Sequence, residues 1–172
     1  METPERFARG ELEAFEELFR QFQAEVYGWI VRIVRDRAAA EDLTVETFWR
    51  IWRARARFDP SRSFAAWARR IATNAAVDHL KAARREEPLP DNLAARPAAD
   101  AAVEEELHEQ IRRAFGKLPA NLRATATLAL VEEQPYEEIA RAMGVSVGGV
   151  KSRVFRAVRR LRKELERMGV RA

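Results

Sequence analysis

Between Gln134 and Leu165 the chain leaves itself few folding options. Val150, Val154, Val158, Leu161 and Leu165 recur at three- and four-residue spacing, so one side of this segment is apolar and must be buried against other helices. Its remaining sides carry Lys151, Arg153, Arg156, Arg159, Arg160, Arg162 and Lys163, with only Glu164 and Glu166 close enough to offset them. Ahead of it the spacing predicts a short helix opened by Pro135. Glu137 and Glu138 then face the positive end of the helix dipole, and Ile139 and Met143 form its apolar edge. Gly144 suits the left-handed residue that ends such a helix, and Ser146 suits the N-cap of the next. A short helix, a tight turn and a basic second helix form a helix-turn-helix, whose second helix lies in the major groove of DNA. The alternative for the same residues is a plain helical hairpin with a solvated basic face.

The bulk properties set the frame. A chain of 172 residues that is 47% hydrophobic and 34% charged is globular and long enough for one domain or two small ones. A net charge of +4 fits a polyanionic partner. With no cysteine, disulfides, thiolate chemistry and thiolate zinc sites are excluded, and His79 and His108 have no companion at ligand spacing. The N-terminal stretch lacks a basic-then-apolar signal pattern and no segment reaches membrane-spanning length, so membrane insertion is not expected and the cytoplasm is the expected location.

Along the chain, residues from about Glu11 to Arg37 carry apolar side chains from Leu12 to Val34 at sustained helical periodicity and read as one or two amphipathic helices. After the charged break at Arg35–Arg37, Leu43, Thr47, Ile51 and Ala54 share one face of a further helix, with Phe48 and Trp52 alongside. Asp59-Pro60 and the flanking serines predict a loop, after which Ser63 caps a helix whose buried side holds Trp67, Ile71, Ala75 and Leu80. Aromatic and basic residues interleave from Phe48 to Arg85. That mixture suits stacking on a single strand, although rings at helical spacing are ordinarily core. From Glu86 the composition turns to Pro, Ala and acid, which reads as a linker. Beyond it come a helix carrying Leu107, Ile111, Phe115 and Leu118 that stops at Pro119, and another capped by Asn121. The expected division is 1–85, a linker at 86–104, and 105–172. No phosphate loop, dinucleotide turn or catalytic triad pattern is present, and the carboxylates fall in linker and cap positions; neither an enzyme nor a bound cofactor or metal is expected.

Two motif sets in one chain carry a family resemblance. AEDLTVETFWRIW followed by FDPSRSFAAWARRIATNAAVDHLKAARR resembles region 2 of the bacterial sigma-70 family, and LPANLRATATLAL followed by YEEIARAMGVSVGGVKSRVFRAVRRL resembles region 4. Together they resemble the small extracytoplasmic-function group of sigma factors. The resemblance implies an all-α fold of two small helical domains on a flexible linker, core RNA polymerase and promoter DNA as partners, and control by an anti-sigma factor. It implies that Lys151, Ser152, Phe155 and Arg156 read the upstream (−35) element while Arg153 and Arg159 hold phosphates. Asp59, Ser61, Arg62, Ser63 and Phe64, with Asn74, would hold a base flipped from the non-template strand of the downstream (−10) element. Asp42, Leu43, Glu46 and Thr47 would dock on the β′ clamp helices, and the C-terminal domain on the β flap.

Three positions depart from the family pattern. Val45 replaces a frequent glutamine in the clamp-docking segment, Gly149 a hydroxyl residue in the turn, and Ala129 an arginine aimed at the upstream element. Two other readings remain at this stage: a stand-alone operator-binding regulator, and a helical module that sequesters a partner without touching DNA.

Overall fold

A computed structural model describes residues 2–85 and 99–170, and among these every regular element is helical. The first domain holds α1 (Thr3–Ala8), α2 (Leu12–Val34), α3 (Arg37–Ala54) and α4 (Phe64–Arg85); the second holds α5 (Ala99–Gly116), α6 (Ala120–Ala126), α7 (Tyr136–Met143) and α8 (Val147–Arg167). Residues 86–98 of the expected linker lie outside the described residues. Its last six residues, from Ala99, already belong to α5.

The Leu12 to Val34 periodicity makes a single helix. It ends where Arg35 takes a left-handed φ of 57°, after which the Asp36 side chain caps α3 by accepting from the Ala39 amide at 3.1 Å. Helix α1 is absent from the sequence reading, because six residues with one large apolar side chain make no period. That side chain, Phe7, is fully buried, with the rings of Phe15, Trp52, Phe58, Phe64 and Trp67 around it at centroid distances of 5.6–6.4 Å. On α4 the core face is built from Ala68, Ala72, Ala75 and Ala76, all at 0% exposure, which lets neighbouring backbones approach closely.

In the second domain Asn121 is not the cap of α6. The helix starts two residues earlier with Pro119 at its N-cap, where no N–H is needed. At Thr127–Val131 the helix widens into a π turn, and Glu133 follows with a positive φ of 50°. Two clusters form this domain's core: Ala114, Phe115, Leu118, Leu122, Ala126, Ala157 and Leu161, and then Leu128, Ile139, Ala142, Val150 and Val154.

The domains also touch. Ala120 and Ala124 of α6 join the first domain's core, Arg123 donates to the Val34 carbonyl at 3.1 Å, and the Arg35 guanidinium lies 5.1 Å from the Phe115 ring centre. Burial there, and secondarily the charge of Arg112, lowers the pKa of Arg35.

Candidate nucleic-acid interface

The helix-turn-helix forms from the residues that predict it. Gly144 takes φ 66° at the end of α7, and the Val145 amide closes back on the Ala140 carbonyl at 3.0 Å. Ser146 caps α8 through its hydroxyl, which accepts from the Gly149 amide at 3.0 Å. A β-carbon at residue 149 would stand 3.3 Å from that hydroxyl oxygen, so glycine here leaves the cap uncrowded. Val150, Val154, Ala157 and Leu161 are buried, which fixes the rotation of α8. The opposite side presents Ser152, Phe155, Arg156 and Arg159 at spacings of three and four, with Lys151 beside them, all exposed; Arg153 is half-buried. Phe155 is 67% exposed, a large apolar ring left in water on an otherwise polar face. Ala129 is half-buried against the α7–α8 core and carries nothing outward.

In the first domain the loop between α3 and α4 is held at both ends by buried rings, Phe58 and Phe64, 5.7 Å apart edge to face. Phe64 therefore anchors the loop and does not line its outer surface, a correction to its expected place among the base contacts. Asp59 shapes the tip: its carboxylate accepts from the Ser61 hydroxyl at 2.7 Å and the Ser61 amide at 3.0 Å, which hold its pKa below the usual carboxylate range. Ser63 caps α4 by accepting from the Ala66 amide at 3.2 Å. Asp59, Ser61, Arg62 and Ser63 are exposed, and so is Asn74. Asn74 lies eleven residues beyond Ser63, about 16 Å along the helix axis and within roughly 20° of the same side. Loop and amide therefore form a track along α4, not one small pocket.

The third candidate surface lies on α3. Asp42 and Glu46 are exposed, Leu43 is half-buried, and Thr47 is fully buried with its hydroxyl unpartnered. Thr47 cannot meet a docking partner from this position, as its place on the apolar face already implied. The outward ridge instead contains Val45, 67% exposed, and Trp49, 56% exposed, alongside the carboxylates. Trp49 was legible as an aromatic lying off the apolar stripe. Arg50 bridges this helix to α4, pairing with Glu46 at 3.1 Å and Asp78 at 3.0 Å.

An apolar groove of about 370 Å³ runs beside the C-terminal half of α8, lined by Leu130, Val158, Leu161, Leu165 and Val170 with Arg162 and Glu166 at its rim. Among the described residues no cluster of His, Asp and Glu has the makings of a metal site, and no helix is long and apolar enough to cross a membrane.

Residues 18–86 match the family model of sigma-70 region 2, and residues 108–161 match that of sigma-70 region 4. The chain belongs to the sigma-70 family. It is 34% identical to the RNA polymerase sigma-H factor of Pseudomonas aeruginosa, with 94% of this chain and 91% of that protein covered. It is 31% identical to the ECF RNA polymerase sigma factor RpoE of Cereibacter sphaeroides over 88% of this chain and 86% of that one. These relatives place this sigma factor in the extracytoplasmic-function group. Its fold matches that of RpoE in the co-crystal structure with the anti-sigma factor NepR from Bartonella quintana, at 23% identity and a TM-score of 0.61, covering 88% and 96% of the two chains. The region 2 match thus runs from Leu18, within α2, through α3, the Asp59–Ser63 loop and α4, and the region 4 match takes in the helix-turn-helix as far as Leu161.

Proposed function

We propose that this sigma factor grips a promoter at two points, reading the −35 element with the outer face of α8 and opening the −10 element along α4. The observation that carries this is the exposed set Lys151, Ser152, Phe155, Arg156 and Arg159, held at one rotation by a buried stripe, in a chain that also exposes the Asp59–Ser63 loop and Asn74. On α8, Lys151 and Arg156 reach guanine edges or phosphates, Phe155 meets a thymine methyl, and Arg153 and Arg159 hold phosphates. On α4, a non-template strand lying along the helix passes Asp59, Ser61, Arg62 and Ser63 and then Asn74. The Asn74 amide offers a donor and an acceptor to a base edge that duplex pairing hides.

Asp42 and Glu46, with Val45 and Trp49 alongside them, form the docking ridge for the β′ clamp helices of core polymerase; Leu43 and Thr47 set its shape from below. Leu130, Val158, Leu161 and Leu165 offer an apolar groove for a helix of the β flap. The chain works in the cytoplasm and is held in check by an anti-sigma factor, the kind of partner that the Bartonella quintana RpoE binds.

Run-off transcription from genomic fragments, with core polymerase present and this chain added or withheld, tests the reading. Initiation that depends on both is expected. Tight binding to duplex DNA alone, with no core-dependent transcript, would refute it and favour a stand-alone regulator.

A further inference from the structure

The basic residues of α8 continue past the end of the proposed −35 reading. Arg156, Arg160, Lys163 and Arg167 follow one another at spacings of four, three and four, which sets them on one ridge of the helix within about 60°. Of these, only Arg156 has a part in base reading. Arg160, Lys163 and Arg167 line a groove of about 320 Å³ between α8 and the C-terminal end of α5, and Lys117, just past that end, lines it from the other side.

All four groove cations are exposed, and one carboxylate stands among them. Glu164, whose side chain is 17% exposed, accepts from Lys117 Nζ at 2.8 Å and from Arg167 at 3.1 Å. The Lys117 hydrogen bond, with the charges of Lys117, Arg167 and Lys163, holds its pKa below the usual carboxylate range, so Glu164 stays ionised and keeps two of the cations at the groove. Arg160 and Lys163 have no carboxylate within ion-pair distance among the described residues. Like charges four residues apart repel on a helix, as Arg156 does Arg160 and Lys163 does Arg167. An anion in the groove relieves that repulsion.

The setting of α8 in DNA decides which anion. A helix with its side chains is about 10–12 Å across and the major groove about 12 Å wide, so a helix that reads bases fills the groove and its flanks meet the phosphate walls. The buried stripe Val150, Val154, Ala157 and Leu161 turns Phe155 and Arg159 toward the bases. Arg160, Lys163 and Arg167 are turned roughly 90° from those two, toward one wall. Along the axis Arg160 and Arg167 lie about 14 and 24 Å beyond Lys151. At 3.4 Å per step that is roughly four to seven base pairs from the first base contact.

We propose that the groove between α5 and α8 is a phosphate site: Lys117, Arg160, Lys163 and Arg167 hold backbone phosphates of the duplex flanking the −35 element. The site adds a sequence-independent share to the hold of region 4 on DNA, and Lys117 brings the end of a second helix to it. Its place beside the −35 element rests on α8 as the reader of that element.

The chain assembled with core polymerase is titrated onto labelled duplexes that carry a −35 element and no −10 element, with fluorescence anisotropy read across a salt series. Arg160→Ala with Lys163→Ala should lower affinity about ten-fold in 0.1 M salt and reduce the salt slope by about 2. Lys117→Gln should reduce the slope by about 1, and Lys117→Arg should restore it. Trimming the flanks from ten base pairs to one on each side should weaken the wild type and leave the double variant nearly unchanged. Circular dichroism checks that each variant keeps its helices, and a merely structural loss would not be undone by shorter flanks or by Lys117→Arg. An unchanged slope in the double variant or in Lys117→Gln, or equal flank dependence in wild type and double variant, would overturn the site. Lost transcription with unchanged DNA affinity would also overturn it, and would assign the groove to an acidic protein surface. Failure of the −35 reading shows separately, as equal wild-type affinity for the element and for a scrambled duplex; the slope change is sequence-independent and is read on both.

Discussion

Replacing Phe7 with alanine should destabilise the first domain by about 4–5 kcal/mol, at the upper end of the roughly 3–5 kcal/mol found for buried phenylalanines. Phe7 is at 0% exposure and makes ring contacts with five aromatic side chains contributed by α2, α3, the α3–α4 connection and α4. No single neighbour can move into the space without leaving a second one. It is also the one buried residue of α1, and a six-residue helix has no stability of its own once that contact is lost. At about 2–4 °C per kcal/mol for a chain of this size, the melting midpoint should fall by roughly 8–20 °C. Phe7→Leu keeps most of the volume and should cost less than about 1.5 kcal/mol. Urea titration of both variants, followed by tryptophan fluorescence, measures the difference. Because Phe58 and Phe64 pack on Phe7 and also clamp the Asp59–Ser63 loop, Phe7→Ala should slow promoter opening while leaving upstream-element binding intact. A loss below about 1.5 kcal/mol for alanine, or equal losses for alanine and leucine, would show that the aromatic cluster does not depend on α1.

Lys151→Glu with Arg156→Glu should abolish upstream-element recognition, and Lys151→Ala with Arg156→Ala should reduce the salt slope of binding by about 2, as expected for two lost phosphate contacts; fluorescence anisotropy across a salt series reads both. Thr47→Val removes a buried hydroxyl that has no partner, so it should leave core-polymerase affinity unchanged and stability equal or higher by about 1 kcal/mol, measured by pull-down titration and urea unfolding. Asn74→Ala should slow open-complex formation more than it weakens closed-complex binding, as followed by permanganate reactivity against mobility shift. Asp59 titrates below its ordinary value of 3.8 because the Ser61 hydroxyl and amide donate to it. The Asp59 contribution to the loop's order is thus complete above that value and lost as pH falls through the lowered one, and Ser61→Ala should move the Asp59 carboxyl titration back up toward 3.8.

Local chemistry was readable wherever one residue determines one backbone feature. Gly144 and Ser146 mark the turn, Ser63 marks the start of α4, and the Val150–Leu165 stripe sets which side of α8 faces outward; all of these are consequences of nearest neighbours. Where two local signals compete, sequence alone does not choose. Thr47 lies on the periodic buried face of α3 and also within the clamp-docking motif, and packing resolves the conflict in favour of burial. Phe64 is the same case in the loop. Helix α1 escapes because its single anchor, Phe7, is meaningful only with rings from distant segments in place. The Arg69–Glu132 pair escapes for a stronger reason: its partners are 63 residues apart and belong to different regions, and nothing in either local pattern names the other.

The geometry of α4 explains how one helix serves the core, the strand track and the contact with region 4. Ala68, Ala72, Ala75 and Ala76 give it a flat inner side at 0% exposure, so its other sides are free to carry function. Arg69 and Asn74 are five residues apart, which turns them about 140° from one another around the axis. The Glu132 ion pair on Arg69 therefore lies away from Asn74, while Gly144 at the end of α7 stands against the Arg70 side chain, about 40° from Asn74 around the axis. Two separable phenotypes follow from this arrangement. Substitutions at Glu132 should weaken the contact between the regions and leave strand capture alone, and substitutions at Asn74 should do the reverse. A Glu132 variant that impaired strand capture once assembled would mean that the two sides of α4 are coupled through its alanine core.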